Sequence, residues 1–398
     1  MTAEGDKDGD RRLTIEVARA IADAPAADWD RCAGADHPFV QHRFLAALEE
    51  SESACDAQGW APHHLLLKSD DGALVGCAPL YLKFHSYGEY VFDHGWAAAF
   101  ERAGGRYYPK LQSAAPFTPA TGPRLLVDAT DADAPTVERR RRALADAMAA
   151  LCADNGLSSA HVTFPTEDDW RVFERAGWLL RTGQQYHWLN EGYASFDDFL
   201  GALASRKRKT LRKERETANS HGVAFQMLTG ADLRPEHWDA FFDFYIDTSD
   251  RKWGSPYLTR AFFHRIGETM ADDILLVMGV RDGTYVCGAL NFIGEDTLYG
   301  RNWGGIVDLP MLHFEACYYR AMDFAIERGL TRVEAGAQGA HKIQRGYAPT
   351  PNYSAHFIPD RGFRSAVADF LKRETEAVTE EIDRLGDYTP FRKGDIGG

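Results

Sequence analysis

Between Tyr299 and Gly346 the chain reads as strand, loop, helix, strand and short polar turn, and few folds accommodate that order. Pro310 stands just ahead of a helical stretch of roughly four turns, and Gly329 sits where a C-cap would close it. The paired glycines Gly304 and Gly305 free the chain to turn before that helix. TRVEAGAQG then alternates like a strand, with Val333 and Ala335 on one face and Arg332 and Glu334 on the other. A helix between two strands implies a crossover, hence neighbouring parallel strands. Such a unit opens a cleft at the carboxyl ends of its strands. Arg301, Asn302, Glu334, Gln338, His341, Lys342 and Arg345 collect there. On the helix, Met311, Glu315, Tyr318, Met322 and Ala325 form one stripe, with Arg320, Asp323 and Glu327 on the other side. Glu315 therefore shares an apolar face, where a carboxylate must be paired or lose its charge.

The 398 residues suffice for two or three domains, and 44% hydrophobic content supplies their cores. No run of 18 apolar residues is present, and MTAEGDKDGDRR has no apolar signal region. Residues 1–12 read as disordered. The six cysteines show neither CxxC nor metal-ligand spacing, so they read as free thiols of a reducing cytoplasm. The formal charge of −14 argues against general nucleic-acid binding, and DNA is not expected as a partner.

Two stretches of the chain follow one plan. Asp71-Gly72, Val75 and Ala78 match Asp282-Gly283, Val286 and Ala289 at an offset of 211 residues. Gly156-Leu157 matches Gly329-Leu330 at 173, which sets His161 opposite Glu334. Gly177-Trp178 matches Gly346-Tyr347 at 169, which sets His187 opposite His356. The expected division is a first domain over 13–191, with an aromatic-rich insert at 85–115, and a second over 192–398. PFTPATGPRLLV (116–127) reads as a strand entered through prolines. An amphipathic helix at 366–385 ends the second domain. The joint is basic: seven lysines or arginines lie between Arg206 and Arg215, and Arg208, Arg212 and Arg215 share one helical face. It reads either as a solvated helix or as a grip for an anion such as a nucleotide tail, an RNA end or a lipid head group.

HPF (37–39), HSYGEYVFDHGWA (85–97), GGRYYPKLQ (104–112), PFTPATGPRLL (116–126), GRNWG (300–304), LHFEACYY (312–319) and VEAGAQGAHKIQRGY (333–347) together resemble the bacterial FemAB-like group labelled peptidoglycan biosynthesis or recognition proteins. The resemblance spans roughly residues 30–375. It implies an α/β fold of tandem GNAT-like acyltransferase domains, each a mixed sheet flanked by helices. It further implies an N-acyltransferase moving an acyl group from a thioester donor, acyl-coenzyme A or an acyl carrier, to an amine of the cell envelope. That amine would be a lipid or sphingoid base, or a peptidoglycan precursor. The Q/R-x-x-G-x-G/A loop of coenzyme A-binding GNAT enzymes has no match before either crossover helix, so the donor stays open. Aminoacyl transfer from tRNA and a non-catalytic recognition module are the alternatives. The expected location is the cytoplasm, with a peripheral position at the inner membrane face compatible with it.

Acyl transfer to an amine needs a base, a stabilised oxyanion and alignment. Glu334, His341, His313 and Glu315 are the catalytic candidates. Asn302 and the amides near Gly304 suit the oxyanion. Arg301, Trp303, Lys342 and Arg345, with Asp93 and His94 from the first domain and Arg208 and Arg212 from the basic helix, are the substrate-binding candidates. No metal-binding motif is present.

Overall fold

The computed structural model describes residues 12–130, 132–252, 256–336 and 339–392. Gln338 and all of the segment expected to be disordered except Arg12 lie outside them. The chain forms two compact units, one of residues 1–182 and 353–374, the other of 183–352 and 375–398.

In the first unit, β1 (Thr14–Ala18), β3 (His64–Lys68), β4 (Leu74–Ala78) and β7 (Leu126–Val127) make an antiparallel sheet in the order β1-β3-β4-β7. β3 and β4 are the hairpin expected around Asp71-Gly72, whose glycine has φ of 83°. Of the strand expected at 116–127, only β7 forms. A second series pairs β2 (Trp60–Pro62), β5 (Tyr81–Lys83), β6 (Lys110–Ser113) and β8 (Ala160–Thr163), with β6 and β8 parallel. The crossover helix Ala134–Asp154 carries Leu144, Ala145 and Met148 onto Leu65, Leu67 and Val75. Each buried leucine or methionine side chain here contributes roughly 1.5–3 kcal/mol.

The second unit repeats the scheme. β10 (Ala224–Leu228), β11 (Ile274–Arg281), β12 (Thr284–Ile293) and β13 (Thr297–Gly305) form an antiparallel meander, and β14 (Arg332–Glu334) adds parallel to β13. The parallel pair is the one expected on either side of a crossover helix.

The closing strands explain why the units are discontinuous in sequence. β9 (Leu179–Leu189) follows the first copy, yet its residues 187–189 pair with β14 of the second unit. β15 (Ala348–Phe357) follows the second copy, yet its residues 354–357 pair with β8 of the first. The units therefore change over at 182/183 and 352/353, whereas a linear reading divides the chain at 191/192. The C-terminal helix Arg361–Gly386 begins earlier than expected, and Phe363, Val367 and Leu371 pack with Trp96 and Tyr107 in the first unit. The stretch 85–115 is no simple insert either, because it contains β6, the counterpart of β13.

Two local readings are corrected. Gly304 and Gly305 make no turn; they lie inside β13, and a Cβ on Gly304 would come 2.3 Å from the carbonyl oxygen of Phe244. That glycine serves close approach of the helix Pro235–Lys252. The crossover helix of the second unit is α-helical over Leu312–Phe314, π-helical over Glu315–Tyr319, then α-helical over Arg320–Arg328. The wider turn brings residue i+5 over residue i. Arg320 thus reaches Glu315 at 2.9 Å rather than lying opposite it, and Tyr318 and Tyr319 are both buried.

Candidate functional site

The second unit splits open along one line. β13 and β14 pair only over Thr297–Tyr299 and Arg332–Glu334. Immediately beyond, the β12 register shifts, with Asn291 opposite Gly300 and Leu290 opposite Asn302. Arg301 is the extra residue of a β-bulge, which bends a strand and ends regular pairing. β13 continues along β12 to Gly305, and among the described residues no strand pairs with its other edge past Tyr299. Half-buried Arg301, Asn302 and Trp303 line the wall of this wedge. Gly300 lies at the apex: a Cβ there would sit 3.4 Å from the Glu334 carbonyl oxygen.

Glu334 ends β14 beside the apex, 3% exposed, with Tyr299 and His187 as its ladder neighbours. Its carboxylate lies 3.7 Å from His187 Nε2. Burial, aided by Arg332 and Lys342, pushes His187 down to about 3, so this imidazole is neutral at physiological pH. His341 is exposed on the 3-10 turn Ala340–Arg345, its Nε2 3.0 Å from the Tyr318 hydroxyl. Partial burial, then Arg345 and Lys342, hold it below 6.5. His313 stands edge-on to Trp303, with ring centroids 5.2 Å apart.

The cations and Glu315 have protein partners. Lys342 Nζ donates to the carbonyls of Ala335 and Gly336, at 2.5 and 3.1 Å, and burial brings it down to about 8. Arg345 pairs with Glu214 at 2.9 Å, donates to the His341 carbonyl at 2.8 Å and stacks on Phe314. Both brace the turn that carries His341. Glu315 is fully buried and receives Arg215 through two bonds of 2.9 and 3.1 Å, with Arg320 at 2.9 Å. Arg215 also grips Asp323 at 2.7 Å. Arg208 donates to the Leu203 carbonyl and Arg212 pairs with exposed Asp197. The basic face read from helical spacing is therefore mostly inward, because the side chain of Arg215 fills a buried acidic socket. Substituting Arg215 by leucine leaves Glu315 with Arg320 alone, and should cost roughly 3 kcal/mol of stability in a urea titration.

Asp93 and His94 belong to the first unit. His94 is exposed and stacks against Phe92, with Tyr87 nearby. Asp93 is buried in a network that the sequence reading missed. Lys110 Nζ donates to Asp93 at 2.5 Å, Glu89 at 2.7 Å and Ser86 at 2.9 Å. The Tyr107 hydroxyl donates to Asp93 at 2.6 Å. His161 and His356 face each other, Nδ1 to Nδ1, at 2.7 Å. The signal that could have revealed it is two lysines, Lys83 and Lys110, each next to a leucine in a short strand flanked by aromatic residues. Burial lowers Lys83 to about 7 and raises Glu89 to about 7. Between pH 7 and 10 the unfolded chain still protonates Lys83 while the folded unit does not, so its contribution to stability rises with pH. Glu89 acts oppositely between pH 4.5 and 7, where the folded state binds the extra proton. Urea midpoints across pH should show Lys83→Met flattening the alkaline rise and Glu89→Gln flattening the acid-side fall.

The copies correspond at the ladder. His161 pairs with Gln112 and His356 in the first unit; Glu334 pairs with Tyr299 and His187 in the second. These are the positions that the sequence offsets set opposite each other. Over residues 20–393 the chain matches the FemAB-like family, described as peptidoglycan biosynthesis/recognition. The chain belongs to the FemAB-like family. No curated protein matches it in sequence. Among solved structures, FemX is similar at 12% identity, covering 87% of this chain and 98% of that one with a TM-score of 0.53. The C-terminal domain of a putative lysylphosphatidylglycerol synthetase from Agrobacterium fabrum is similar at 11% identity, covering 87% and 96% with a TM-score of 0.52. A tandem GNAT protein from the clavulanic acid biosynthesis pathway matches at 11% identity, over 87% and 98%, with a TM-score of 0.42. This FemAB-like chain has the expected α/β fold, two units of sheets flanked by helices.

The two units differ at the wedge. In the first, the segment after β6 returns to β8: Gly122 bridges Pro165, and the fully buried Arg124 donates to the carbonyls of Thr163, Ala120 and Gly122. That guanidinium stitches shut the gap that in the second unit follows Tyr299. Among the described residues no helix is long and apolar enough to cross a membrane, and no cluster of three His, Cys, Asp or Glu side chains is placed to hold a metal ion.

Proposed function

We propose that this FemAB-like protein transfers an acyl or aminoacyl group to the amine of a cell-envelope component, and that the reaction takes place in the wedge of the second unit. The bulge at Arg301 carries the reading, because the pairing of β13 with β14 ends beside it, next to the buried carboxylate of Glu334. An amide-bearing donor, such as the pantetheine arm of coenzyme A or of a carrier protein, hydrogen-bonds a strand edge as an added strand would. Amides of β13 near Asn302 then face the carbonyl oxygen as it gains charge. Glu334 attracts the acceptor's ammonium, which gives one proton to solvent to become the free amine. His341 takes the second proton as the amine nitrogen attacks the thioester carbon; the C–N bond forms, the C–S bond breaks and the thiolate leaves. Tyr318 orients the imidazole, while Lys342 and Arg345 hold its turn. Glu315 is scaffolding through its pairing with Arg215.

The family's description and the likeness to FemX support an acceptor in the cell envelope, either a peptidoglycan precursor or a lipid amine. The test is release of free thiol from acyl-coenzyme A in the presence of long-chain amines or peptidoglycan precursors. Glu334→Gln should raise KM for the amine at least tenfold with a smaller change in kcat. Failure of the wild type with thioesters, but turnover with aminoacyl-tRNA, would move the donor to that ester. Ligand binding without turnover of either donor would make the protein a recognition module.

A further inference from the structure

The helix Ser205–Asn219 carries more positive charge than the interior uses. Lys207 is bonded to Gln344, Arg208 to the Leu203 carbonyl, and Arg215 to Glu315 and Asp323. Arg206, Lys209 and Lys213 remain, exposed and without an ion pair among the described residues. They recur at i, i+3 and i+7, so they form one stripe about 10 Å long. Arg212 flanks it, pairing only with highly exposed Asp197, and Glu216 is the exposed acid on the next turn. Unpaired cations are notable in a chain of net charge −14.

Both ends of this helix adjoin exposed apolar residues in the same unit. At its start, the Ala204 amide donates to the Pro390 carbonyl, and Leu203 bridges Phe391. Tyr388, 63% exposed, is on that returning segment. Just past its end, His221 contacts the Pro310 carbonyl, and Ile306, 54% exposed, is on the same loop. A basic helix with a tyrosine and an aliphatic side chain beside its ends matches the chemistry of an anionic bilayer surface, where cations meet lipid phosphates and the apolar residues enter the interface. Nucleic acid is less well matched, since it gains nothing from Ile306 and is repelled by the net charge.

We infer that Arg206, Lys209 and Lys213 dock the second unit onto membranes rich in anionic phospholipid. The inference is independent of the transferase reading, because vesicle binding is measured without turnover. The full chain should cosediment with phosphatidylcholine vesicles containing 30% phosphatidylglycerol at low salt, and not with pure phosphatidylcholine. The charge-reversed variant R206E/K209E/K213E should bind about 100-fold more weakly, with unchanged circular dichroism and thiol-release activity on a soluble amine. Tyr388→Ser should weaken binding severalfold even at high salt. Equal binding by wild type and the charge-reversed variant, or no binding by wild type, would overturn the assignment. So would binding of a mixed-sequence RNA, but not of vesicles, through the same three residues.

Discussion

Replacing Lys110 with methionine should destabilise the protein by about 3–5 kcal/mol, read as a lowered urea midpoint at pH 7. Lys110 is fully buried, and its ammonium serves Asp93, Glu89 and Ser86 together. Burial alone would push both carboxyl groups up; Lys110 overcomes this at Asp93, which stays well below the usual carboxylate range. Among the described residues, Glu89 Oε1 and Asp93 Oδ1 already lack a hydrogen-bond partner. Without the lysine, buried anions lose their counter-charge, and the cost is that of an uncompensated charge rather than of a lost contact. The loss should shrink as pH falls, because protonated carboxyl groups need no cation. Combining Lys110→Met with Asp93→Asn and Glu89→Gln should restore most of the stability. If the triple variant is no more stable than the single one, packing around the lysine stem, and not charge, governs the site.

What could be read in the sequence is what depends on local pattern. The Asp71-Gly72 hairpin, the crossover before β14 and the alignment of His161 with Glu334 all follow from turn chemistry and periodicity. Those ladder positions fall where the offsets place them because each copy keeps its own register. Strand exchange is invisible at this level: β9 and β15 have the same alternation whichever edge they join. The π turn at Glu315–Tyr319 is hidden for a related reason, since a 3.6-residue period places Arg320 on the side away from Glu315. The Lys110 network as a whole is not legible in the sequence, because Glu89, Asp93 and Lys110 come together only through tertiary packing. Arg208 and Arg212 drew attention as a cluster, yet charge composition cannot say which cations are consumed internally. That distinction leaves Arg206, Lys209 and Lys213 as the outward set.

His341→Ala should lower kcat for transfer to an amine by about 100- to 10,000-fold, the usual contribution of a general base, while leaving donor affinity within a few-fold of wild type. The imidazole must be neutral to accept the proton, and its environment keeps it so: partial burial, Arg345 and Lys342 all hold its pKa below 6.5. The wild-type rate should therefore fall only as pH drops through that depressed value, with a flat plateau from there past neutrality. In His341→Ala the acid limb should vanish along with most of the rate, and added imidazole should restore part of it. Tyr318→Phe provides the finer contrast. It removes the 3.0 Å hydrogen bond but keeps the ring that packs against Phe314 and Tyr347. A loss of roughly tenfold with the acid limb retained but displaced would mark Tyr318 as orienting the base. An unaltered pH profile in His341→Ala would instead transfer the proton to Glu334, acting across the wedge from the bulged strand.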